Sequence, residues 1–351
     1  MQKDRVNKAI REYLRKSHNR MLKQYNLKHD DIRRLVVNID FNNLDLSSIT
    51  VDGKVPRGSY LDKQLSNIQK DFQAGLKKII EKSMWEAWEG ANLQNDALFM
   101  KAYNIVESDN STLFKRDLSQ WNELKNRQLF EGRTLSGRIW KLSNDYKREI
   151  KTALRIGFLN GDSAIEIAKK FHRYSLFANE KYLDIDKIPD EQIRREVARQ
   201  ATRRKGSLGT VFKDAKRLAG NETNITYREA EQRRWKNATH HVLGYEIKLS
   251  NAHKVIDICD FVNGRYPLWF KWNGWHPNCL CYRVPILIPY DDYINNVKRQ
   301  REGKKPIIKG VIKDVPNNFK IYMRGKYEQM SNWKSKPYFM EDNDVGKILG
   351  L

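Results

Sequence analysis

Apolar residues recur at three- and four-residue steps through most of the chain and give way to alternation only near its end. Leu61, Leu65, Ile68, Phe72, Leu76, Ile79 and Ile80 form one stripe. Positions so spaced share a helix face, so the stripe predicts a long amphipathic helix. It runs into Met84, Trp85 and Trp88 before Gly90, and residues 92–120 stay helical in character, with a break at Asp109-Asn110-Ser111. A second stripe, Leu135, Ile139, Leu142, Tyr146, Ile150, Leu154 and Phe158, stops at Asn160-Gly161, where glycine readily takes the left-handed conformation that closes a helix. Asp162 or Ser163 then caps a shorter helix through Ile165, Ile167, Ala168 and Phe171, and Pro189 opens the next.

Residues 4 to about 27 carry Val6, Ile10, Tyr13, Leu14, Met21 and Tyr25 at looser helical spacing among many Lys and Arg. Between 36 and 58, Asn42-Asn43, Asp52-Gly53 and Pro56 mark irregular chain. From His241 the period changes to two. Val242, Tyr245, Ile247 and Leu249 predict a strand with Gly244 at a bulge, and Val284, Ile286 and Ile288 a second strand that pairs back. The expected class is therefore α+β and mainly α-helical: long helices in the N-terminal two thirds, and a small antiparallel β element with a Cys/His loop near the C-terminus. A basic helical region at 1–120, a domain at 121–290 and a basic extension at 291–351 divide the chain, the extension opening with a basic helix at Asp291–Arg301.

The formal charge of +23 over 351 residues favours polyanions through counterion release. Arg194, Arg195, Arg199, Arg203, Arg204 and Lys205 form the densest basic run and are the candidates for lying close to nucleic acid; such a run is otherwise a solvated face. No segment approaches the roughly 18–20 unbroken apolar residues of a membrane span, so no membrane partner is expected. The N-terminus has no apolar run behind its charges and does not read as a signal peptide. Three cysteines without an export signal argue for a reducing compartment, where clustered thiols serve metals more often than disulfides.

All three lie in the loop 257–282. Cys259 is followed after sixteen residues by His276, then after two by Cys279 and after one by Cys281. Thiolate and imidazole are the donors tetrahedral zinc prefers, so Cys259, His276, Cys279 and Cys281 are the candidate ligands of a structural zinc. The one-residue gap in Cys-x-Cys is tighter than usual, leaving room for one of the pair not to ligate. An unmetallated buried cluster and cysteine redox or nucleophilic chemistry are the other two readings. His253, Asp257 and Asp260 flank the donors as supporting or substitute ligands. Upstream, Arg217, Glu222 and Asn224 gather where a helix is expected to meet another helix or a tight turn, as an ion pair or cap fixing two elements or as a catalytic carboxylate. No Walker loop, metalloprotease helix or Ser-His-Asp order accompanies His240, His241 and His253.

The segments RTLSGRIWKLSNDYKREI, IGFLNGDSAIEIAKKF, RLAGNETN before a helix to Trp235, GYEIKLSNAHKVIDICD and WHPNCLCYRVPI stand in an order that resembles the phage Mu protein F-like family of minor head proteins. The likeness covers roughly residues 120–290, with His-Pro-x-Cys-x-Cys its most specific piece. It maps onto Glu222, Asp257, Cys259, His276, Pro277, Cys279 and Cys281; the Cys-x-x-Cys pair such relatives carry before the His-Pro motif has Val262 at its second position here. The resemblance implies a head-morphogenesis protein of a tailed bacteriophage. It implies portal and capsid proteins as partners, packaged DNA held by non-specific electrostatics, and a place in the capsid interior after assembly in the host cytoplasm. The family's fold has been compared with ADP-ribosyltransferases, but this chain has no clear Arg, Ser-Thr-Ser and Glu-x-Glu set. The alternatives are an injected enzyme, a metal-dependent nuclease or ADP-ribosyltransferase-like, and a zinc-containing nucleic-acid-binding protein.

Overall fold

The computed structural model describes residues 2–37, 49–50, 52–106, 111–128, 132, 134–176, 183–201, 210–251, 253, 255–277, 279–333 and 336–351. Asn42-Asn43, Arg203, Arg204 and Lys205 lie outside the described residues, as do Asp109 and Asn110. The helices are α1 (Gln2–Val37), α2 (Tyr60–Tyr103), α3 (Ser111–Phe114), α4 (Leu118–Asn126), α5 (Leu135–Leu159), α6 (Ala164–Leu176), α7 (Glu191–Ala201) and α8 (Val211–Asn237). Then come β1 (Val242–Lys248), α9 (Ile258–Phe261), β2 (Gly264–Tyr266), β3 (Tyr282–Leu287), α10 (Tyr290–Arg301), α11 (Asn317–Ser331), α12 (Tyr338–Glu341) and α13 (Val345–Leu349). The protein is thus α+β and mainly helical, with one small antiparallel sheet near its end. Among the described residues no helix is long and apolar enough to cross a membrane.

The chain forms two compact units: one of residues 1–15, 82–132 and 220–351, the other of 16–81 and 133–219. The second is built on an aromatic centre. Phe72 stacks on Tyr146 at 4.3 Å, and Tyr25 meets both rings as well as Phe212. Asp62 at the start of α2 is held by Lys147 and Lys151 at 2.7 and 2.6 Å. The helix punctuation follows its expected chemistry: α5 closes at Asn160 with Gly161 at φ 70°, and Ser163 with Glu166 forms a reciprocal cap on α6.

In the first unit α2 continues through Gly90. A Cβ there would fall 2.0 Å from the Tyr13 hydroxyl, so the glycine is needed for a close approach and does not end the helix. The junction expected near Arg217–Asn224 is instead the middle of α8, one unbroken helix. Glu222, Thr223, Asn224, Ile225, Thr226, Tyr227 and Arg228 are all buried, and packing on every side overrides the weak helix propensity of Asn and Thr. The sheet has the order β2-β1-β3, all antiparallel. β1 and β3 pair as the alternation predicts, with the register shifting between Val242 and Gly244. β2, inside the Cys/His loop, has no counterpart in the sequence reading. A Cβ on Gly244 would meet the Tyr266 carbonyl at 2.7 Å, so glycine is what lets β2 and β1 close up there.

The inner face of the sheet is carried by Tyr245 and Ile247 and packs on Trp235, Tyr266, Phe270, Trp272, Trp275, Phe319 and Phe339. Aromatic pairs of this kind each add about 0.5–1.5 kcal/mol beyond their burial. Arg283 of β3 is wholly buried among them, over the rings of Trp235, Tyr245 and Trp272. Its guanidinium donates to Glu231, Gln232 and the Arg228 carbonyl.

Two groups, a buried Glu231 and a partly buried His241, give the first unit opposed acid responses. Burial, with His240 adjacent, lowers His241 to about 4 from 6.5, and its ring is wedged beside Tyr103 and Tyr293. The unfolded chain then takes up this proton first, so the stability His241 gives is lost as pH falls from 6.5 toward 4. Glu231 is pushed up to about 7 by burial despite Arg283, so its contribution rises as pH falls from 7 toward 4.5. The wild-type profile mixes both signs, and a difference isolates one. His241→Gln should lose less melting temperature than wild type between pH 7 and 5; parallel profiles would show His241 is not buried neutral.

Candidate metal centre

The loop 257–282 leaves β1, makes α9 and β2, and returns as β3. α9 exists to fix one side chain. Asp257 caps it, its carboxylate accepting from the Cys259 amide at 2.7 Å, while Asp260 reaches back to the Asp257 amide at 2.9 Å. This reciprocal capping box gives a four-residue helix a defined start and aims Cys259 inward. His253 Nε2 lies 2.9 Å from Asp260, holding the far side of the clip. The other two thiols arrive on the segment before β3, and the Cys279 amide closes a turn on the His276 carbonyl.

Cys259, Cys279 and Cys281 converge, their sulfurs all within 4.8 Å of one another, and each is only 1–2% exposed. Cys259 and Cys279 are 3.7 Å apart. A tetrahedral zinc with Zn–S bonds of about 2.3 Å has an edge of about 3.8 Å, so this pair is already at ligand spacing. His276 Nδ1 is 2.8 Å from the Pro277 carbonyl, which can only accept; Nδ1 therefore carries a proton, and Nε2 is the nitrogen left for a metal. That Nε2 sits 3.2 Å from Cys259 Sγ and 3.2 Å from Asp257 Oδ2, beside the first thiol. His253, Asp257 and Cys259 form a second, less buried group of potential ligands. The residues present could hold a metal ion.

One functional residue of this site is invisible in the sequence. Arg228 of α8 is 3% exposed and donates to the carbonyls of Asn273, Cys279 and Cys281 at 2.8, 2.7 and 3.0 Å, with its guanidinium over Trp272. It ties Asn273 and the Cys279–Cys281 segment to the helix and brings a buried positive charge to the sulfurs. Cys279 is held well below the usual thiol range by hydrogen bonds from Cys259 and Cys281, with Arg228 adding to them. Cys259 is pushed up, first by its bond to Cys279. Three thiolates and an imidazole around a divalent cation carry one net negative charge, which Arg228 would balance. Gly274 serves the same contact, since a Cβ there would stand 2.7 Å from Arg228 Nη1.

The other candidates are placed elsewhere. Glu222 is buried and accepts from Arg127 at 3.3 Å; Arg217 approaches Asp214 at 3.5 Å; Asn224 is buried on α8 one turn before Arg228. On α7, Arg194 reaches the Ile188 carbonyl, Arg195 pairs with Glu191, and Arg199 reaches the Arg195 carbonyl. These arginines are engaged within or beside their own helix. No family model, no curated protein and no solved structure matches the chain.

Proposed function

We propose that the chain is a structural head-morphogenesis protein of a tailed bacteriophage, whose C-terminal module is locked by a structural zinc on Cys259, His276, Cys279 and Cys281. The observation that supports it is where the family-like residues fall. Of the segments that carry the resemblance, the last two fold together: GYEIKLS makes β1 and the residues after it, ICD begins α9, and Cys279–Cys281 with YRVPI lead into and make β3, one antiparallel module around three converging thiols. Zinc would supply no reaction here: three thiols exposed by 1–2% and an imidazole would fill all four positions, the mark of a structural site. His276 enters the set through Nε2, and Arg228 offsets its charge. In this reading the module is a rigid plug in the head, meeting portal and capsid proteins, with the basic surface tolerating packaged DNA. Peptide mass spectrometry of purified particles and of proheads, made by a genome that encodes the chain, should find it in both at low copy number. Its absence from both would overturn the assembly role and leave the zinc site untouched.

A further inference from the structure

The stretch after β3 holds the densest set of unneutralised charge among the described residues. Lys298, Arg299, Arg301, Lys304, Lys305, Lys309 and Lys313 fall within sixteen residues. Glu302 is the one acid among them, and it pairs with Lys304 at 2.9 Å; Asp314 beyond them is taken by Lys320. None of the other six cations has a carboxylate within ion-pair distance among the described residues. Other basic side chains of the same unit are matched, Lys271 by Glu229 and Asp342 and Arg233 by Asp117.

Nor is this a loose tail. The amide of Lys304 donates to the Arg299 carbonyl, and Arg299 Nε donates to the Lys305 carbonyl. Asn296 brackets Ile307, accepting from its amide at 2.7 Å and donating to its carbonyl at 3.0 Å. The Ile312 amide donates to the Leu243 carbonyl of β1, and Gly310 turns the strap at φ 75°. At its end Trp269, half exposed, donates from Nε1 to the Lys313 carbonyl at 3.2 Å. An ordered backbone thus presents lysines to solvent beside an exposed indole. Fixed like charges repel one another, and a polyanion relieves that repulsion while releasing its own counterions. An aromatic face next to a backbone-tracking cation row is the arrangement that takes unpaired bases.

We infer that the strap 298–313, with Trp269, is a binding surface for the phosphate backbone of nucleic acid, taking a single strand with one base on the indole. Such a surface works whether or not the chain enters a particle, so its test is separate from the assembly role. The probe is a fluorescein-labelled 20-mer, single-stranded or duplex, titrated with full-length protein at several salt concentrations. Lys305→Gln/Lys309→Gln/Lys313→Gln should weaken single-strand binding at least tenfold at 0.1 M salt and flatten the log–log salt slope by about 2. Three exposed lysines of α2, Lys63→Gln/Lys70→Gln/Lys78→Gln, remove the same charge and should cost less than threefold. Trp269→Ala should weaken the single strand several-fold and the duplex hardly at all. Equal losses from the two triple variants would mean diffuse attraction to net charge and overturn the site. An unchanged slope in the first variant would overturn it too, and equal Trp269→Ala effects on both probes would remove the indole from it.

Discussion

Cys279→Ala/Cys281→Ala is expected to destabilise the protein by several kcal/mol and to abolish the zinc binding proposed for it. Structural zinc contributes about 10–16 kcal/mol in peptides that fold only with metal. The loss here should be smaller, because Tyr245, Tyr266, Phe270, Trp275 and Phe319 form a core that does not need the ion. About 4–6 kcal/mol would lower the melting temperature by roughly 10–20 °C in a unit of this size. The thiols themselves are small, and losing two buried sulfurs accounts for only part of that. A chelator separates the contributions: it should lower the wild-type midpoint toward the variant's and leave the variant where it is. The same variant should fail to enter particles, because a loose loop 257–282 frees β2 and the start of β3. A folded, assembly-competent double variant would falsify the view of the cluster as a staple.

Arg228 should rank next. Truncation to alanine strands three buried carbonyls, those of Asn273, Cys279 and Cys281, and empties the face of Trp272. Each unmade buried hydrogen bond costs about 1–3 kcal/mol, so a loss of about 4 kcal/mol is expected. A merely packing role would predict the same direction, so metal affinity is the discriminating readout. Without the guanidinium, three thiolates must share a site with no compensating charge, and zinc affinity measured by chelator competition should fall about tenfold or more. Arg228→Lys keeps the charge but not the fork, and should recover part of the affinity while remaining unstable. If Arg228→Ala melts early yet binds zinc as tightly as wild type, Arg228 is a strut and not an electrostatic partner.

The elements written in long periodic stripes were legible from the residues. Leu61–Ile80 and Leu135–Phe158 each set one helix face, and Asn160-Gly161 marked an end because glycine at φ 70° has a local cause. The β1–β3 pair was legible from alternation, and the irregularity at Gly244 from its composition. What local pattern could not carry was tertiary. β2 is three residues long and exists only because β1 offers it an edge. The middle of α8 reads as a junction in sequence, being Gly, Asn, Glu, Thr and Asn in a row, yet burial on all sides keeps it helical.

The thiols could be picked out by spacing alone, and the structure gathers all three. Arg228 could not, for it is one arginine among several in REAEQRRW. Its signal was periodicity: Arg228, Glu231, Gln232 and Trp235 sit at three- and four-residue steps and are all buried, a polar stripe on the inner face of α8. Conversely, the basic run on α7 drew notice by density alone. Density says nothing of partners, and the described arginines there turn to their own helix or the turn before it. At 298–313 the charges are nearly as dense, but Glu302 is the one carboxylate among them.

The central claim is a zinc held by Cys259, His276, Cys279 and Cys281. Zinc-edge X-ray absorption on the full chain, purified under reducing conditions without added metal, tests it most directly. One zinc per chain is expected, with three sulfurs near 2.3 Å and one nitrogen near 2.0 Å in the first shell. A folded protein that carries no zinc and takes none up, or a shell made mainly of oxygen, would contradict it.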